Sequence, residues 1–150
     1  MNILSLITIT MYDIIINIKE DKTMRCIRLA TGHSDSVGID VDTGRYIYLK
    51  FVGPYGHEHA YTIDERMFQN YVLNQTNINK TNLEKHCIAT TEGRAEFDKL
   101  KIIKSHQIEK IRKKDYIIAA EIIDNRNIYI YTIERKKYKI DYKADIATIS

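Results

Sequence analysis

Apolar and polar residues alternate along much of this chain, the two-residue period of strands with one face turned inward. Residues 45–52 show it most clearly. Ile47, Leu49 and Phe51 fall on one face, and Tyr46, Tyr48 and Lys50 on the other, which predicts a half-buried strand with an amphipathic outer face. β-Branched runs at residues 12–19, 25–30 and 37–41 predict three strands before it. Asp42-Thr43-Gly44 lies between the run at 37–41 and the strand at 45–52 and reads as a hairpin turn. Gly53-Pro54-Tyr55-Gly56 suits a type I turn, with proline at its second position.

Helical signals are fewer. Thr62-Ile63-Asp64-Glu65 has the form of a capping box and predicts a helix over about residues 63–73, with Met67, Phe68 and Tyr71 inward. After a polar loop, Thr81-Asn82-Leu83-Glu84 is a second such box, predicting a short helix toward Cys87. Phe97, Leu100, Ile103, Ile108 and Ile111 form an imperfect helical stripe, and a helix is expected over residues 94–105. Lys99-Leu100-Lys101-Ile102 alternates within that stretch and would also suit a strand. Residues 116–123, 127–134 and 138–142 then read as a three-stranded meander. Its turns are Asp124-Asn125-Arg126 and a basic corner at residues 135–137.

This order predicts a single α+β domain spanning residues 1–150: antiparallel strands forming a small barrel or sandwich, with two or three helices in the middle. In element order alone it is similar to an oligonucleotide-binding (OB) barrel. Met11 is an alternative start, which would make residues 1–10 a dispensable extension. The apolar run at the N-terminus is shorter than the ~20 residues that span a bilayer. It also has neither a basic leader nor a small-residue cleavage site, so no membrane association or secretion is expected.

Composition changes the weight of these signals. Ile, Lys, Tyr and Asn supply 62 of the 150 residues, against 23 for Ala, Gly, Arg and Pro, which points to an AT-rich gene of a virus, a plasmid or a low-GC cell. Cys26 and Cys87 stand alone and fit buried free thiols in a reducing compartment, here the cytoplasm, or the host cytoplasm if the gene is viral.

No catalytic motif is complete. The six glycines are scattered without a phosphate-binding loop, and no nucleophile elbow surrounds any serine. His57 and His59 would share one side of an extended segment, the arrangement of two metal ligands or an acid–base pair. No spacing selects a third ligand, so neither metal nor cofactor is expected, and the two histidines read as turn-flanking polar residues. Charge is more informative. Residues 1–93 carry a net −2 and residues 94–143 a net +6. The positive charge gathers at Lys110, Arg112, Lys113 and Lys114, and again at Arg135, Lys136 and Lys137, with Tyr46, Tyr48, Tyr129 and Tyr131 interleaved.

A cationic stripe with aromatic platforms is how single-stranded nucleic acid is bound. The expectation is therefore a non-enzymatic accessory protein that binds nucleic acid, preferably single-stranded. Two alternatives stand beside it: a protein-interaction module that inhibits a host or cellular factor, and a small ribonuclease using His57 and His59.

Overall fold

The computed structural model describes residues 22–52, 57–74, 78, 87–90 and 99–144. The expected strand at 12–19, the extension at 1–10, the turn at 53–56 and the second capping box at 81–84 lie outside the described residues.

The first sheet contains β1 (Thr23–Thr31), β2 (Asp35–Asp40), β3 (Tyr46–Val52), β4 (His57–Ile63), β5 (Cys87–Thr90) and β6 (Lys99–Ile102). Its strand order is β5-β4-β3-β2-β1-β6. Four neighbouring pairs are antiparallel, as expected, but β6 runs parallel to β1. The sheet curls until β5 and β6, at its opposite ends, come into contact. Met24, Cys26, Ile47, Leu49 and Ala60 gather on one face together with Leu100 and Ile102 of β6. On the other face Ile27, Leu29, Val37, Ile39, Tyr48 and Tyr61 join the main core.

Both faces are thus covered, which corrects the amphipathic outer face expected of β3. The cover on the second face is α1 (Glu65–Asn74), whose Phe68, Tyr71 and Val72 are buried. Its start also differs from the expected capping box. Thr62 pairs with Ile47 and stays in the strand. The cap passes to Asp64, whose Oδ1 accepts the Met67 N–H at 2.7 Å. Aspartate caps as well as threonine, so the cap falls where the ladder ends.

Two further expectations are corrected. Residues 99–102 are β6 rather than part of a helix, because the free edge of β1 takes up their alternating pattern. The helix begins later, as α2 (His106–Lys114), with Ser105 as its cap. Ile108 and Ile111 of the stripe form its buried side. Cys87 opens β5, and the short helix expected before it lies outside the described residues.

The second sheet follows the expected meander, β7 (Ile117–Ile122), β8 (Asn127–Thr132) and β9 (Lys137–Asp141), in the order β7-β8-β9. Asp124 forms its first turn by accepting the backbone N–H groups of Arg126 and Asn127 at 2.8 and 2.7 Å. Ile128, Ile130 and Ile140 enter the same core as α1 and the first sheet.

Tyr46 fastens the two sheets. Its ring stacks on Phe68 with centroids 4.4 Å apart. Its hydroxyl accepts from the Ala120 N–H at 3.0 Å and donates to the Ala120 carbonyl at 3.2 Å. Gln69 donates to the Ile118 carbonyl at 3.1 Å, so the edge of β7 is met by side chains rather than by another strand. Replacing Tyr46 by Phe leaves both Ala120 groups without this partner. We expect a loss of ~1–3 kcal/mol of stability, read as a shift of the urea midpoint at unchanged slope.

Candidate nucleic-acid interface

The basic residues of α2 close its last turn, where Arg112, Lys113 and Lys114 complement the negative end of the helix dipole. Lys110, Lys113 and Lys114 are exposed, whereas Arg112 is half-buried and donates to Thr31 Oγ1 at 3.1 Å. Arg135 and Lys136 occupy the β8–β9 turn, and Lys137 opens β9; all three are exposed.

These two segments, more than twenty residues apart in sequence, meet in the fold. Ile117 lies opposite Thr132, and the Ile133 N–H donates to the Tyr116 carbonyl at 3.0 Å. The end of α2 and the β8–β9 turn therefore sit at one end of the small sheet. Tyr116, 56% exposed, and Ile133, 47% exposed, lie between them. The alternation of the chain does not single out Tyr116, which precedes β7. Its position directly after Lys113-Lys114-Asp115 was the available signal.

Arg135 has φ 65°, in the left-handed region that glycine or asparagine enters more easily. A long cationic side chain is held there at the cost of backbone strain, a feature often found where a side chain serves a site.

Tyr129 and Tyr131 stand next to each other on the half-exposed face of β8, opposite the buried Ile128 and Ile130. Their ring centroids are 6.4 Å apart. Lys137 Nζ lies 4.0 Å from the Tyr129 centroid and 5.6 Å from that of Tyr131. The Tyr131 hydroxyl donates to Glu121 at 3.3 Å.

Tyr46 and Tyr48 are not part of this surface. Tyr46 is spent between Phe68 and Ala120, and Tyr48 is 3% exposed. Alternation alone places both on an outer face, but α1 and β7 lie over that face. Tyr48 instead donates to Asp35 Oδ2 at 2.7 Å, while Tyr71 donates to Asp35 Oδ1 at 2.5 Å.

His57 and His59 both lie on β4, opposite Val52 and Lys50. His59 Nδ1 is 3.4 Å from the Tyr61 hydroxyl, while the His57 side chain lies outside the described residues. Among the described residues no three His, Cys, Asp or Glu side chains converge as metal ligands. Cys26 is free and buried, and burial pushes its thiol up to about 12. Among the described residues no helix is long and apolar enough to cross a membrane.

With this geometry in hand, comparison adds no relative: no family model, curated protein or solved structure matches the chain.

Burial, and then the bond to Asp35, raise the Tyr48 and Tyr71 hydroxyls above their ordinary 10.0. The folded state holds these protons more tightly than the unfolded chain does. Their contribution is complete below pH 10 and is lost as pH rises from there through the raised values. Urea midpoints measured from about pH 8 to 11.5 should fall at the alkaline end. The fall should be shallower in Tyr48→Phe, which removes one of the two protons.

Proposed function

We propose that this protein binds single-stranded nucleic acid through the outer face of the small sheet and the basic end beside it. The observation that carries this reading is the pair Tyr129 and Tyr131, side by side on an open strand face with Lys137 over both rings. Two adjacent rings offer stacking area to successive bases, and every base has a face to stack, so such a platform tolerates any sequence. Arg135 and Lys136 adjoin it on the same hairpin, and Lys110, Lys113 and Lys114 extend the positive charge along α2. Side chains spaced in this way can follow a backbone of phosphates. No residue in this role has to move a proton or form a bond, so the reading is of a binding protein rather than an enzyme. The AT-rich composition suits an accessory protein of a virus or plasmid, acting in the cytoplasm of its host.

The OB-type barrel belongs to the same proposal. A curled sheet whose end strands meet gives it support, although the tyrosine platform lies on the second sheet.

A second reading has its own observation. Tyr116 and Ile133 are exposed, joined by a backbone hydrogen bond and flanked in sequence by Lys113-Lys114 and Arg135-Lys136-Lys137, which is hot-spot material for an acidic protein partner. Such a complex would survive nuclease treatment, whereas a contact bridged by nucleic acid would not.

Fluorescence anisotropy against labelled single-stranded DNA, single-stranded RNA and duplex, at two salt concentrations, tests the proposal. Binding should prefer single strands and weaken steeply with salt. Tyr131→Ala should lower affinity by roughly 5- to 100-fold, the equivalent of one stacked base at ~1–3 kcal/mol. Lys113→Glu and Lys136→Glu should each weaken binding and flatten the salt slope by about 0.7 per lost phosphate contact. No binding at low salt, or affinity unchanged in both charge reversals, would sink the idea.

Arg135→Gly separates binding from folding. It relieves the left-handed strain, so stability should rise by about 1 kcal/mol while oligonucleotide affinity falls. Loss of both together would show that Arg135 serves the fold alone.

A further inference from the structure

Beside the basic end lies a pocket of about 530 Å³, within the size range of small-ligand sites. It is framed by the β1–β2 turn, α1, the last turns of α2 and the start of β7. Its walls carry two kinds of group. Arg112 and Lys113 are cationic and His33 adds an imidazole, while Asp35, Glu109 and Asp115 supply carboxylates.

Two observations suggest that the wall is incomplete without a ligand. The first is Arg112. This half-buried guanidinium donates to Thr31, and among the described residues no carboxylate lies within ion-pair distance of it. Desolvation lowers its pKa, and the Glu109 carboxylate on the same helix offsets this only in part, while Arg28 adds to the lowering. The second is Asp115. Its Oδ1 accepts the Tyr116 N–H at 2.8 Å, but its Oδ2 is buried with no hydrogen-bond partner. A buried acceptor without a donor is rare and calls for one. A cation awaiting an anion and an acceptor awaiting a donor line the same cavity.

The remaining lining is fixed in place. Asp35 is held by Tyr48 and Tyr71, and a side-chain carbon at Gly32 would collide with Asp35 Oδ1 and the Tyr71 hydroxyl. Tyr116 contributes an exposed ring to the lining. An anionic group, hydrogen-bond donors and a flat ring are what a nucleotide offers. Inorganic phosphate would find only the cationic half, and carboxylates nearby. A terminal phosphomonoester carries a charge of about −1.5 to −2, against −1 for an internal diester, and so gains more from Arg112 and Lys113.

We propose that this pocket holds the phosphorylated terminal nucleotide of a strand, with the phosphate on Arg112 and Lys113, a base or sugar donor on Asp115, and the base against Tyr116. The proposal rests on the strand-binding reading above. A free nucleoside monophosphate presents the same chemistry, so the test separates the two sources.

Anisotropy would compare one labelled oligonucleotide carrying a 5′-phosphate, a 3′-phosphate or hydroxyl ends, and calorimetry would follow adenosine and guanosine monophosphate alone. A phosphorylated end should bind roughly tenfold tighter than a hydroxyl end. Arg112→Gln should remove that preference while hydroxyl-ended binding persists, and the exposed Lys113→Gln, which also lies on the strand path, should weaken both ends and lose the preference. The second variant guards against a folding defect in the first. If the strand binds with no preference for a phosphorylated end, the pocket proposal fails and the tyrosine platform stands. If strands do not bind but a monophosphate does, and Lys113→Gln weakens it, the pocket is a free-nucleotide site and the strand reading fails. If neither ligand binds, both are wrong.

Discussion

The hydroxyl of Tyr46 is the joint on which the arrangement turns. One tyrosine on β3 stacks on Phe68 of α1 and satisfies both backbone groups of Ala120 on β7. An unpaired strand edge placed in the interior would leave amide and carbonyl groups without partners. Here that edge is met by two side chains, Tyr46 and Gln69, instead of a seventh strand. The meander therefore stays a separate sheet, packed on α1 and the large sheet with one face buried and the other open.

That placement decides which chemistry reaches the surface. The buried face of the meander takes Ile128 and Ile130, so period-two geometry turns Tyr129 and Tyr131 outward. Connectivity does the rest. Because α2 runs directly into β7, and β8 pairs with β7, the end of α2 and the β8–β9 turn arrive at the same edge. Two basic segments become neighbours without any direct contact between their charges having to hold them there.

Polar groups inside the molecule follow a similar economy. Asp35 accepts from two tyrosines on different elements, and Arg28 reaches Glu58 and Ser36 on the inner side of the curled sheet. Burying charge is costly unless it is paired and hydrogen-bonded, and these groups meet that requirement. Arg112 and the free oxygen of Asp115 meet it only in part, and both line the same cavity. Thr62 Oγ1 and the Tyr142 hydroxyl are also buried without a hydrogen bond, but they lie away from this cavity. What distinguishes the pocket from an ordinary surface depression is that a half-buried guanidinium and an acceptor without a donor line it together.

The sequence by itself determined the local periods. Alternation placed β1, β2, β3 and the whole meander, and the Asp-Thr-Gly and Asp-Asn-Arg turns between them, because strand period and turn chemistry are properties of a few adjacent residues. It also located the two basic segments and the Tyr129–Tyr131 pair. It misjudged β6, the start of α1 and the surroundings of Tyr46 and Tyr48, each for the same physical reason. Lys99–Ile102 becomes a strand because β1 offers an edge. Thr62 stays out of the helix because Ile47 pairs with it. Tyr46 and Tyr48 are buried because α1 covers a face that alternation alone marks as outward. Partners distant in sequence settled these points, and so did the meeting of the basic segments and the pocket beside Tyr116. Local residue order can specify a period, but which faces are covered is decided only when the elements pack.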